Sequence, residues 1–301
     1  MKSQQNRAPE RKPGNRVRTG ERSSAERVYG LAAVKAAFEA RPEAVLSIAH
    51  TEALRYPLAD LLRAAARRHI AYREVDAEEL ARLAQSVHHE GVCMLVRQRE
   101  LKELPDGSAL LKSVHAGGLL LALDGVQNPH NIGAILRSAA YFGAAGLVYT
   151  TATDDGAESG KPASLPAAAR RVAEGGAEHV PVLRVPTLQA WLQEARKADF
   201  TVVGSDAHTD TALTTFAWPA RTVLVLGHEQ RGLTREVRDS CQQLLKIAGS
   251  ERMDSLNVSV AAGIFLASYA ARSTPTAPMP APAPKLARPH APAPAPRGKR
   301  A

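Results

Sequence analysis

From residue 118 onward, short apolar runs alternate with stretches in which apolar residues recur every three or four positions. The runs at 118–123, 146–149, 182–185, 200–204, 222–226 and 244–247 predict strands. The stretches at 131–142, 164–174, 187–197, 233–240 and 258–271 predict helices. Nearly continuous apolar strands separated by helices imply an α/β fold, with a mostly parallel sheet covered on both faces. A smaller α/β unit precedes it. There Leu31, Val34 and Phe38 recur at helical spacing, 45–49 is a short strand, and Leu58, Leu61, Leu62 and Ala65 line one helix face, leaving Arg63, Arg67 and Arg68 elsewhere. Asp76 followed by Glu79 predicts a capping box before Leu80, Leu83, Ala84 and Val87. His88-His89-Glu90-Gly91 then turns into an apolar strand reaching Val96. Two adjacent histidines without a spaced third ligand read as a loop rather than a metal site.

Neither end of the chain shows such a pattern. Residues 1–26 are polar and basic, and 272–301 alternates Ala and Pro before a basic end, so both are expected to lack packed structure. The expected organisation is a tail (1–26), a small α/β domain (27–97), a linker with some helix (98–117), a larger α/β domain (118–271) and a second tail (272–301). The net charge of +9 sits at the ends. Residues 1–27 hold eight Lys/Arg against three Glu, and 272–301 hold six Lys/Arg and no acid, so the middle is slightly acidic. Basic arms around such a middle suit a polyanionic partner, because each neutralised phosphate releases counterions. They lack the apolar stripe that would seat them on a membrane. Only Cys93 and Cys241 are present, which argues against a disulfide framework or zinc ribbon and fits a reducing compartment. With no signal-type apolar region and no run of about 18 apolar residues, the expectation is a cytoplasmic protein without a membrane span.

Three polar, Gly-rich segments stand against apolar elements in the larger domain, where α/β folds build ligand sites. The first runs from Asp124 through Gln127-Asn-Pro-His130 to Asn131-Ile-Gly-Ala-Ile-Leu-Arg137. Asn131 reads as the N-cap of a helix whose stripe is Ile132, Ile135, Leu136 and Ala139, so Arg137 projects elsewhere. The second is a strand opening into Gly227-His-Glu229-Gln-Arg-Gly232-Leu, where the glycines permit tight bends and close approach of a ligand. The third, Ser255-Leu256-Asn257, precedes an apolar helix carrying Val258, Ala262, Phe265, Leu266 and Tyr269, and offers two cap-type residues. Other enzyme classes fit poorly. The Gly160-Lys161 pair runs into Pro162 and has Asp155 where a Walker loop needs glycine, and neither Gly-x-Gly-x-x-Gly nor Gly-x-Ser-x-Gly occurs.

Together and in this order the three segments resemble the motifs of the SpoU/TrmH family, within the SPOUT superfamily, over roughly residues 27–271. The resemblance implies transfer of a methyl group from S-adenosylmethionine (SAM) to a ribose 2′-hydroxyl of structured RNA. It implies a homodimer, a C-terminal segment tied into a deep trefoil knot, and an L30e-like RNA-binding domain ahead of the catalytic one. Knots are almost absent from proteins, so periodicity alone proposes none. It implies catalytic roles for Asn131, Arg137, Glu229, Ser255 and Asn257, a SAM cradle of Gly204, Leu226, Gly227, Ile247, Ser255 and Leu256, and no metal. The cofactor brings the activated methyl, so no covalent enzyme intermediate is needed. Arginine is a poor base, with a pKa above about 12. The role expected of Arg137 is therefore electrostatic stabilisation of the developing alkoxide, with an RNA phosphate sharing proton acceptance. By analogy, the appended domain favours ribosomal over transfer RNA. Ala248 and Glu251 stand where the family usually has Pro and Gly, and His228 where smaller or amide residues are common. These departures keep a second reading open, a catalytically inactive relative that still binds RNA.

Overall fold

A computed structural model describes residues 25–97, 108–114, 117–150, 165–250 and 252–272. Residues 1–24, 98–107, 273–301 and the departure at Glu251 lie outside the described residues.

The small domain holds β1 (Ala25–Tyr29), α1 (Leu31–Ala40), β2 (Val45–His50), α2 (Ala59–Arg67), β3 (Ala71–Glu74), α3 (Ala77–Ala84) and β4 (Val92–Arg97). The sheet order is β1-β4-β2-β3, with β4 antiparallel to both neighbours and β3 parallel to β2. Strand β1 begins at Ala25, so the last two residues of the expected first tail are structured. The apolar positions of α1 and α2 meet the sheet through Val34, Phe38, Leu58, Leu62, Ile48 and Met94. Asp76 caps α3 by accepting from the Glu79 backbone N–H at 2.7 Å. The Glu79 carboxylate pairs with Arg73 at 2.6 Å rather than closing the second half of the expected box. In the loop before β4, the Gly91 N–H donates to His89 Nδ1 at 3.0 Å, so that histidine closes a turn.

After α4 (Ser108–Ser113), the large domain comprises β5 (Gly118–Leu123), α5 (Pro129–Tyr141), β6 (Gly146–Thr150), α6 (Ala167–Val172), α7 (Gly176–His179), β7 (Val182–Val185), α8 (Leu188–Lys197), β8 (Thr201–Ser205), β9 (Arg221–Leu226), α9 (Arg235–Ser240), β10 (Gln243–Leu245) and α10 (Val258–Ala270). The six strands are parallel, in the order β10-β8-β9-β5-β6-β7. Leu119, Leu121 and Leu123 of β5 face α5, α6, α7 and α10, while Leu120 and Ala122 face α4, α8 and α9. Burial on both faces is why this strand reads as an uninterrupted apolar run. The helix expected over 164–174 is shorter and is followed by a separate turn of helix. Glu174 (φ 46°) and Gly175 (φ 96°) adopt left-handed backbone between α6 and α7. Among the described residues, no helix is long and apolar enough to cross a membrane.

Four buried charges join the domains. Glu26 of β1 accepts from Arg41 at 2.7 Å and from Arg170 of α6 at 2.9 Å. Glu178 of α7 accepts from Arg41 at 3.1 Å and lies 3.5 Å from Arg170. All four side chains are under 10% exposed. Burial opposes the Arg41 charge, but the two carboxylates outweigh it and raise the pKa of its guanidinium.

Both cysteines are held as thiols. Burial pushes Cys93 up to about 11, against Arg27. Burial and then the Asp124 carboxylate push Cys241 up to about 12, against Arg238. Both should resist alkylation in the native protein at about pH 8, one unit below the unshifted value of 9.0, and react once the chain unfolds. Because the folded values lie above the reference of 9.0, this contribution to stability is complete below pH 9 and is lost as pH rises towards 11–12. Urea midpoints across that range check the sign.

Candidate active site

Strand β5 leads through α5 to β6 on one side, whereas its neighbour β9 leads through α9 to β10 on the other. Where adjacent parallel strands part in this way, a crevice opens beyond their carboxyl ends, and ligands of open α/β sheets bind there. All three Gly-rich segments arrive at this edge.

In the first, Asn128 rather than Asn131 is the N-cap, accepting from the His130 N–H at 2.9 Å, with Pro129 as the first helical residue. Proline fits that position because its missing N–H has no partner there to lose. Asn131 is therefore inside α5 and buried, and its amide is free for other work. Its Nδ2 donates to Glu229 Oε1 at 2.5 Å, and its Oδ1 accepts from Asn257 Nδ2 at 3.2 Å. Asn257 caps α10, its Oδ1 accepting from the Ser259 N–H at 2.9 Å and from the Ser259 hydroxyl at 2.6 Å. An ionised carboxylate only accepts, so Glu229 fixes the orientation of Asn131, which in turn fixes that of Asn257. A directional chain, Asn257 to Asn131 to Glu229, thus ties the three segments together. His228 Nδ1 lies 3.9 Å from Glu229 Oε2 but already accepts from the Gln230 N–H at 3.1 Å.

The second segment closes on itself. His228 and Gly232 exchange both backbone hydrogen bonds at 2.9 Å. A Cβ on Gly227 would come within 2.3–2.5 Å of backbone atoms of Gly232 and Leu233. The base of the loop is pinned by Asp124, whose Oδ2 accepts from the Thr234 N–H at 2.7 Å. Gly227→Ala should therefore cost about 1–3 kcal/mol as overpacking. Gly249→Ala, with nothing within 4 Å of the added carbon, should leave stability unchanged. Thermal melts on the pair check this.

The remaining expected residues are distributed as follows. Leu226 is the buried last residue of β9. Ile247 lies just past β10, which ends at Leu245, and packs against the core from a half-buried position. Leu256 is 48% exposed and Ser255 exposed, both on the loop before α10. Ala248, Gly249 and Ser250 are exposed and without regular structure. Gly204 lies in β8, where a Cβ would press within 2.9 Å of Leu233, Leu244 and Cys241, so packing alone requires its small size. Ile247 and Leu256 both keep apolar surface open to solvent on these loops.

Arg137 is not brought to this cluster within the chain. Six residues on a helix place it about 240° round and about 9 Å along from Asn131. It is 58% exposed and pairs with Glu174 at 2.8 Å. Sequence reasoning also passed over Asn128 and Asp124 as holders of the loops. The Asn-Pro step was the available signal for the first. For Asp124 the only signal was a polar residue ending an apolar strand.

Residues 118–267 match the SpoU rRNA Methylase family, and residues 27–102 match the RNA 2′-O ribose methyltransferase substrate-binding domain. The chain is 36% identical over 252 residues to the uncharacterized tRNA/rRNA methyltransferase YfiF of Escherichia coli O157:H7, covering 83% of this chain and 69% of that protein. It is 34% identical over 247 residues to the 23S rRNA (guanosine-2′-O-)-methyltransferase RlmB of Salmonella typhimurium, covering 80% and 96%. Among solved structures, the SpoU methyltransferase AviRb of Streptomyces viridochromogenes, in complex with AdoMet, superposes with a TM-score of 0.64. It shares 26% identity over 85% of this chain and 93% of that one.

Proposed function

This chain belongs to the SpoU rRNA methylase family and is a SAM-dependent RNA (ribose-2′-O)-methyltransferase, and from that premise we propose that Asn131, Arg137, Glu229, Ser255 and Asn257 form its catalytic centre. The single observation that carries the assignment is the Asn257–Asn131–Glu229 chain at the switch point of the sheet. SAM supplies an activated methyl group and would be held by Leu226, Gly227, Ile247, Ser255 and Leu256, with Gly204 shaping the floor behind them. Glu229, locked by Asn131, orients polar groups of the ribose. The guanidinium of Arg137 stabilises negative charge on the 2′-oxygen as its proton leaves to an RNA phosphate.

Because Arg137 faces away from its own cluster, the site is completed by a second copy of the chain. An exposed apolar face supports the homodimer. Helix α10 is strongly apolar, yet its Val260 and Ile264 are exposed, as are Met253 and Leu256 on the loop that leads into it. A helix of that composition is normally covered. A trefoil knot suits the same region. Just past β10 the chain bridges to Ala212 through Lys246. It then returns to lay α10 against α5 and the 216–220 segment, where Trp218 bonds Ser268 and Tyr269 bonds the Ala220 carbonyl. The basic ends, 1–24 and 273–301, add sequence-independent affinity for RNA, and a cytoplasmic location follows from that substrate.

The target is ribosomal RNA, supported by the RlmB relative and the substrate-binding domain. Mapping 2′-O-methyl marks across all stable RNAs, with and without the gene, tests it. One ribosomal position should lose its mark. Complete retention of every mark, together with absent SAM binding by calorimetry, would establish an inactive RNA-binding relative instead.

A further inference from the structure

A groove of about 380 Å³ lies where the small domain meets α6, away from the Asn131 cluster. Its floor is backbone at Gly30 (φ 92°), where an added Cβ would stand 3.0 Å from the Arg171 side chain and 3.4 Å from Glu90. Its walls carry Lys35 and Arg171 as donors and Glu90 and Glu174 as acceptors. Glu90 accepts from the Leu31 N–H at 3.1 Å and lies 3.5 Å from Arg171, so these two wall groups are held in place. Glu174 carries the Arg137 ion pair at 2.8 Å. The groove thus ends one side chain from the guanidinium assigned to the reacting ribose.

We propose that this groove receives one splayed-out base of the RNA, next to the nucleotide that is methylated; the proposal rests on the assignment of Arg137 above. The volume decides in favour of a single nucleotide, since it lies at the small end of ligand pockets, about 300–1,000 Å³, and admits no duplex. The charges decide in favour of a base over a phosphate. The two carboxylates on the walls, Glu90 and Glu174, oppose a bare anion, whereas an edge with both donors and acceptors meets the carboxylates and the cations Lys35 and Arg171 alike. Guanine suits it best, offering N1–H and N2–H to a carboxylate and O6 to a cation. Sequence-specific RNA recognition works in this way, on unstacked bases bonded along their edges.

The test uses the intact protein and a plug, Ala32→Trp, at an exposed lining position. Guanosine 5′-monophosphate at millimolar concentration should shift the amide NMR signals of Gly30, Ala32 and Lys35, and the plugged variant should show no response. On an in vitro transcript of 23S rRNA the plug should lower kcat/KM at least about tenfold, the size of one lost bidentate base contact. That loss should lie mainly in KM, with SAM affinity and Tm unchanged. No shift with the nucleotide, the same shifts with inorganic phosphate alone, or an unchanged KM in the plugged variant each overturns the base site. A wild-type protein that shows the shifts yet transfers no methyl group leaves the groove standing and counts against the catalytic assignment instead.

Discussion

Arg137→Ala is expected to lower methyl transfer by about 10²–10³-fold, the loss seen when one donor to a developing oxyanion is removed, while SAM affinity stays at the wild-type level. The separation follows from geometry. The loops assigned to SAM follow β9 and β10, whereas Arg137 sits on the far side of α5, paired with Glu174 and over half exposed. Arg137→Lys should retain part of the activity, because an ammonium keeps the charge but loses the planar fork. Single-turnover rates with saturating SAM measure the chemical step directly. Near-wild-type turnover in Arg137→Ala would remove this residue from the mechanism and leave the Asn131 cluster to be explained as scaffold.

The largest loss of stability is expected from Arg170→Ala, at about 3–5 kcal/mol, because it leaves Glu26 and Glu178 buried with half their compensation. The contrast with the surface is sharp. Arg82 and Glu78 form an equally short pair at 2.7 Å, but their side chains are 65% and 85% exposed, and Arg82→Ala should cost under about 0.5 kcal/mol. Removing charge from both sides, as in Glu26→Gln with Arg170→Met, should recover much of the loss, since desolvation and attraction disappear together. Urea unfolding of the three variants measures this. A cost for Arg170→Ala as small as that of the surface pair would mean that water reaches the four charges and that they do not hold the domains together.

Elements buried on both faces were the most legible in the sequence. β5 and β9 read as strands because nearly every position along them is apolar, and α10 as a helix because its caps and length agree with its pattern. Strand β3 left no such trace. All four of its residues are exposed, and an edge strand reading Ala-Tyr-Arg-Glu has no buried face to impose alternation. Residues 124–131 offered two cap-type asparagines, and the motif drew attention to Asn131. The physical signal was Pro129, which suits the first helical position and so makes Asn128 the cap. With Asn131 released from capping, the contacts among the three segments became visible only in space, because Glu229 lies 98 residues and Asn257 126 residues away along the chain. The charged quartet was unreadable for the same reason. Nothing local distinguishes Glu26, Arg41, Arg170 and Glu178 from solvated charges, and only the packing of β1 and α1 on α6 and α7 buries them.

The proposed function has Arg137 complete the site of a second copy of the chain, and mixed dimers test that most directly. Neither Arg137→Ala nor Asn131→Ala homodimers should transfer methyl groups at an appreciable rate. A purified heterodimer of the two variants should regain about half the wild-type activity, because one of its two sites then pairs an intact Arg137 with an intact Asn131, Glu229 and Asn257. A heterodimer as inactive as its parents would contradict the account and return Arg137 to a role within its own subunit.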